Sequence, residues 1–139
     1  MRFVLTLLLA LATSPAFAGW EKVVETDGFV DYIDPATLRK DGNFQKVWKL
    51  HDRKQRSADG AMSRRMLEEF DCLKLRNRTL SFSLHSESMG GGRTIITVNT
   101  PAPWENKTPA LIDASTNGVV CGANAQADDP RVPGGSFRP

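Results

Sequence analysis

Cys72 and Cys121 are the two cysteines of the chain. A thiolate can act as a nucleophile, but only as a free thiol with an activating base beside it. In an exported chain nothing keeps thiols reduced, so the two are expected to pair with each other. On the chain-entropy model such a bridge stabilises the fold by about 4 kcal/mol. His51 and His85 are the two histidines. A metal centre would need further ligands from carboxylates or from cysteines committed elsewhere, so no metal site and no cofactor are expected. Serine hydrolysis needs a histidine base oriented by a carboxylate. Neither histidine stands in such a context, and both are expected on outward strand faces. The run Gly90-Gly91-Gly92-Arg93-Thr94 lacks the lysine and the spacing of a phosphate loop and reads as a hairpin turn. No catalytic set is visible, and the expected role is not enzymatic.

The remaining chemistry is electrostatic. Arg53, Lys54, Arg56, Arg64, Arg65, Lys74, Arg76 and Arg78 form a basic group able to steer sulfated glycans or acidic partner surfaces. The competing reading is a solvated loop and strand edge whose charges discourage edge-to-edge pairing. Removing Arg2 with the leader takes the formal net charge from +2 to about +1, and no nucleic-acid partner is implied. Trp20, Trp48 and Trp104 could form an aromatic platform, although Trp48 alternates with apolar neighbours and reads as a core anchor.

Export is read from the N-terminus. Arg2 supplies a positive start, Phe3 to Ala12 an apolar stretch broken only by Thr6, and Ala16-Phe17-Ala18 a small-residue cleavage site. Residues 1–18 are therefore expected to be a signal peptide, with a mature chain beginning at Gly19. A spanning helix needs about 20 apolar residues, and Ser14-Pro15 interrupts too early. No later segment reads as an integral membrane span. No cysteine follows the cleavage site, so a lipid anchor is not indicated.

The elements that must hold these residues are mostly strands. Leu80, Phe82 and Leu84 alternate with Thr79, Ser81, Ser83 and His85, the period of a half-buried strand. Phe44, Trp48 and Leu50 share one side of another strand, with Gln45, Lys49 and His51 opposite. Residues 29–33, 66–72 and 94–98 are β-branched or aromatic enough for three more, and residues 20–24 are a weaker candidate. Asp27-Gly28, Asp41-Gly42-Asn43, Asp59-Gly60 and Met89 to Gly92 supply turns tolerant of positive φ. Asp34-Pro35-Ala36-Thr37-Leu38 suggests a single helical turn, capped by Asp34. Thr108-Pro109 suggests the start of a longer helix, which the bridge would pin by Cys121 to the Cys72 strand. The expected fold is α+β and mostly β: an antiparallel meander of about five to six strands with a C-terminal helix disulfide-tied to it. Residues 19–122 form the domain, and 123–139 a disordered tail.

Several stretches resemble one known family in order. Tyr32 to Asn43, then Val47-Trp48-Lys49-Leu50, Glu69-Phe70-Asp71-Cys72, the strand Leu80 to Leu84, Met89 to Gly92, a lone Trp104 beside a proline, and Cys121 together resemble the surface-adhesin protein E family over roughly residues 20–122. The resemblance implies an antiparallel sheet with a disulfide-bonded C-terminal helix. It also implies a homodimer that adheres to host extracellular-matrix proteins and glycosaminoglycan through the basic segment around the first cysteine. Arg64, Arg65, Lys74, Arg76 and Arg78 occupy that segment, together with Glu68, Glu69 and Asp71, whose charge weakens a site for acidic ligands. The expected function is that of an exported bacterial binding protein. The alternative is a soluble periplasmic, envelope-associated protein with a structural or small-ligand role.

Overall fold

The computed structural model describes residues 19–107 and 116–125. The expected signal peptide, the helix start at Thr108-Pro109 and most of the expected tail lie outside the described residues. Six strands follow one another across a single antiparallel sheet: β1 (Glu21–Glu25), β2 (Phe29–Asp41), β3 (Phe44–Arg53), β4 (Ser63–Asp71), β5 (Arg76–His85) and β6 (Thr94–Val98). A two-residue strand, β7 (Glu105–Asn106), pairs with the start of β5, on the side where β6 pairs with its end. Helix α1 (Thr116–Ala125) closes the described chain.

The meander follows from the turns. Asp41 and Phe44 pair across a two-residue loop, with Gly42 at φ +57°, and a glycine at the first loop position matches the twist of the flanking strands. In the Ser86–Gly92 loop, Gly92 sits at φ +69°, and a Cβ there would collide with Ser86 Oγ and lie 2.7 Å from Glu87 Cγ. Only glycine fits.

The segment after Asp34 differs from expectation. It is a bulge within β2, not a helical turn, and pairing with β3 skips from Asp34 to Arg39. Pro35 has no N–H to give the ladder, so the pairing must break there. Side chains close the gap: Asp34 Oδ1 accepts from Ala36 N, Thr37 Oγ1 donates to Asp34 O at 2.7 Å, and the same hydroxyl accepts from Trp48 N at 3.0 Å. The chain therefore stays extended through the expected turn.

The core also lies elsewhere than the alternation of β3 suggests. Residues paired across a ladder share a face, which places Gln45, Val47, Lys49 and His51 with Phe70, Glu68, Met66 and Arg64 on one side. α1 covers this side: Val120 packs with Ile33, Val47 and Phe70, joined by Val23 and the two cysteines. Phe44 and Trp48 point to the opposite, outer face, Phe44 exposed and Trp48 half-buried. Trp48 is not a core anchor, because the guanidinium of Arg65 lies 4.4 Å from its ring centre. Leu50 is the apolar residue of the outer face that is fully buried. The Ser88–Gly90 turn covers it, held by Ser63 Oγ, which donates to Glu87 O at 2.6 Å and accepts from Gly90 N at 2.9 Å. Inside the core, Gln45 is 2 % exposed, with its Nε2 3.7 Å from Cys72 Sγ.

Candidate functional site

The β4–β5 connection carries the first half of the disulfide. Cys72 bonds to Cys121, with Cα atoms 5.4 Å apart and 49 residues between them in sequence. This ties α1 to the end of the sheet. The loop from Cys72 to Leu75 is shaped by Asp71, a buried carboxylate that accepts from Lys74 N at 3.1 Å and from Arg76 Nε at 2.9 Å. Burial works to raise the Asp71 pKa, but these donors and the Arg76 charge outweigh it and lower the value. Leu75 adopts φ +51°, unusual for a branched side chain. Leu73, at the tip, is 71 % exposed.

The five basic residues singled out in sequence are not brought together. Arg64 and Arg65 are neighbours on a strand, so they face opposite ways. Arg65, Arg76 and Arg78 belong to the outer face, Lys74 to the hairpin loop, and Arg64 to the face that carries α1. On the outer face Arg76 and Arg78 stack on Trp104, their guanidinium carbons 4.5 and 4.4 Å from its ring centre. Phe44 lies 6.0 Å from Trp104. The same two arginines are neutralised by neighbouring acids, Arg76 by Asp71 at 2.9 Å and Arg78 by Glu69 at 2.6 Å, with Lys46 3.6 Å from Glu69. Two of the three acids flagged in sequence therefore cancel two of the flagged arginines. In sequence Trp104 was legible as one of three tryptophans able to form an aromatic platform, but not as the partner of these arginines. Its partnership with Arg76 and Arg78 depends on the short β7 pairing that returns the chain to β5.

The face beside α1 carries a different set. Asp31 accepts from His51 Nδ1 at 2.6 Å and pairs with Lys49 at 2.9 Å. A carboxylate only accepts, so His51 carries its proton on Nδ1. His51 is thus half-buried against Phe29, ring centres 4.5 Å apart, and does not point outward as expected. Burial pushes the Asp31 pKa up, but His51 and Lys49 together overcome this and hold it below the usual carboxylate range. Glu68 is 7 % exposed. Its carboxyl forms no hydrogen bond or ion pair among the described residues, and burial raises its pKa. A cavity of 440 Å³ opens here, lined in part by Asp31, Lys49, Arg64, Glu68, Asn77 and Thr116.

His85 is the other histidine. Its Nε2 lies 2.8 Å from Ser83 Oγ, a serine–histidine contact that sequence did not single out. No carboxylate orients it among the described residues, and burial, followed by the charge of Arg65, lowers its pKa. The described residues contain no group of three or more histidine, cysteine or acidic side chains placed to hold a metal ion. No described helix is long and apolar enough to cross a membrane.

Comparison with known proteins agrees with this architecture. Among curated proteins none matches significantly. Among solved structures, crystal form II of Haemophilus influenzae protein E is similar with a TM-score of 0.58 and 14 % identity, covering 86 % of this chain and 99 % of that one. Another structure of Haemophilus influenzae protein E gives 0.48 and 13 %, covering 75 % and 94 %. At such identity the likeness of crystal form II speaks for the fold: a mostly β antiparallel sheet with a disulfide-tied C-terminal helix. The family model for surface-adhesin protein E matches residues 20–122, the whole of the described sheet and the helix as far as the bridge, and the chain therefore belongs to the surface-adhesin protein E family.

Proposed function

We propose that the protein is a non-enzymatic, exported adhesive module that engages host extracellular-matrix protein through the outer face at the β4–β5 end of the sheet. The observation that carries this reading is the stacking of Arg76 and Arg78 on Trp104 beside the exposed tip residue Leu73. Aromatic and arginine side chains are the residue types that dominate protein interfaces. Arginines held flat against an indole also have less freedom to lose on binding. Family membership supports export and surface residence.

A protein partner fits better than a glycosaminoglycan. A sulfated chain is attracted by uncompensated cations, and Asp71 and Glu69 already neutralise Arg76 and Arg78. Arg65 and Lys74 are left to provide that attraction from the outer face and the hairpin.

Binding to immobilised basement-membrane extract and to heparin, measured side by side, tests this reading. Trp104→Ala is expected to weaken matrix binding at least about tenfold, a loss of about 1.4 kcal/mol. Heparin retention should respond more to Arg65→Ser with Lys74→Ser and to added salt, since exposed charges act over about 10 Å at 0.1 M. Matrix binding indifferent to Trp104→Ala would overturn the assignment. Protease treatment of intact cells checks surface residence: a chain protected until the outer membrane is opened would favour the periplasmic reading.

A further inference from the structure

The cavity beside α1 is built from groups whose bonding is incomplete. Arg64 Nε, Asn77 Oδ1 and Thr116 Oγ1 are buried without a hydrogen-bond partner among the described residues, and all three residues line it. Asn77 is 8 % exposed and Thr116 4 %. Glu68 adds an unpaired carboxyl to the same lining. Buried polar groups in native proteins are nearly always satisfied, and leaving one unsatisfied forfeits its hydration without return. Several such groups converging on one cavity mark a site completed by something else.

The charges say what completes it. Of the charged residues that line it, Asp31 is already closed by Lys49 and His51, Glu105 pairs with Lys107 at 3.1 Å, and Arg78 pairs with Glu69 at 2.6 Å. This leaves one cation, Arg64, and one acid, Glu68. A simple anion would meet Glu68 and a simple cation Arg64, whereas a molecule with both charges meets each with its opposite. The two residues are four apart on β4, so their Cα atoms lie about 13 Å apart, and their side chains shorten the gap. An extended chain of two or three residues spans about 7–11 Å. The volume of 440 Å³ is within the usual range for small-ligand sites, about 300–1,000 Å³.

We infer that this cavity binds a short zwitterionic peptide of two or three residues, its terminal carboxylate on Arg64 and its terminal ammonium on Glu68. Asn77 Oδ1 accepts a peptide N–H, and Thr116 Oγ1 donates to a peptide carbonyl. Val24 and Phe29 provide an apolar wall for small side chains. The cation–π contact of Arg64 with Phe82, at 4.0 Å, restrains the guanidinium before the ligand arrives. Arg64 and Glu68 are on the face opposite Trp104, although Arg78, which stacks on Trp104, also borders the cavity; the inference does not depend on the adhesive reading.

The test is a titration of the isotopically labelled mature chain with trialanine, followed by amide chemical shifts. Saturable shifts at Thr79, Glu105 and Thr116 are expected below about 10 mM. Trialanine blocked by N-acetyl and C-amide groups should bind at least about tenfold more weakly. Arg64→Gln and Glu68→Gln should each show a similar loss. Glu68→Gln keeps the shape of the side chain, and thermal melting verifies its fold. Leu73→Ser, at the exposed tip and outside the cavity lining, should bind trialanine like wild type, which separates this inference from the adhesive one. Absence of saturable shifts in the wild-type cavity, equal binding of the blocked peptide, or indifference to both Gln variants would overturn it.

Discussion

Asp31 and His51 face each other directly across β2 and β3 and share a 2.6 Å hydrogen bond. Lys49 closes the other carboxylate oxygen at 2.9 Å. The arrangement keeps the carboxylate pKa low in a place where burial alone would raise it.

The Asp31 pKa is lower in the folded state than in the unfolded chain. Its stabilisation is therefore fully present above the unfolded value of about 4 and is lost as pH falls through the lower folded value. Asp31→Asn should cost about 2 kcal/mol at neutral pH, since Lys49 loses its partner, and the difference from wild type should shrink in strong acid. Urea unfolding of both proteins from neutral pH down to about pH 2 measures this.

Glu68 behaves in the opposite sense. Its raised pKa means that the contribution to stability is complete below the unfolded pKa and declines as pH rises through the folded one. Glu68→Gln should stabilise the ligand-free protein at neutral pH by about 1 kcal/mol, because replacing a buried charge that lacks a partner removes a desolvation cost. The gain should vanish below about pH 4. Thermal melts at the two pH values give the answer.

The disulfide closes a long loop. Replacing Cys72 and Cys121 together by serine should cost about 4 kcal/mol and lower the urea midpoint without changing the strand signal by circular dichroism. Native protein denatured without reductant should take up no alkylating reagent.

Gly92→Ala should destabilise by about 2 kcal/mol or more, since a positive φ and a close approach to Ser86 and Glu87 coincide there. Gly28→Ala, where φ is ordinary and a Cβ meets nothing within 4 Å, is the matched control and should cost less than about 0.5 kcal/mol. Chemical denaturation of the pair is sufficient.

Much of the fold was legible in sequence because its signals are local. The alternation of Leu80, Phe82 and Leu84, the glycine turns and the two cysteines each point to what the structure contains. The failures came where a side chain did something its type does not usually do. Gln45 is buried against the disulfide, and this inverts the face that Phe44 and Trp48 suggested for the core. Thr37 lends its hydroxyl to the β3 ladder, which lets the Pro35 segment remain extended. For the basic group a warning was available, since Arg64 and Arg65 are adjacent and cannot share a face. The cavity had no local signature: Lys49, Glu68, Asn77 and Thr116 come from four separate segments and meet only through the meander and the docking of α1.

The order of the sheet, each strand beside its predecessor from β1 to β6, also has a kinetic meaning. Hairpins between sequence neighbours close short loops and cost little chain entropy, so such a sheet can form early, one hairpin after another. Cys121 is on the last described element, beyond all six strands, and must search for Cys72 across a 49-residue separation. Until it arrives, Ile33, Val47 and Phe70 are without the Val120 cover they have in the finished molecule. Until then this apolar face is open to aggregation, and the docking of α1, fixed by the disulfide, is the step that retires it.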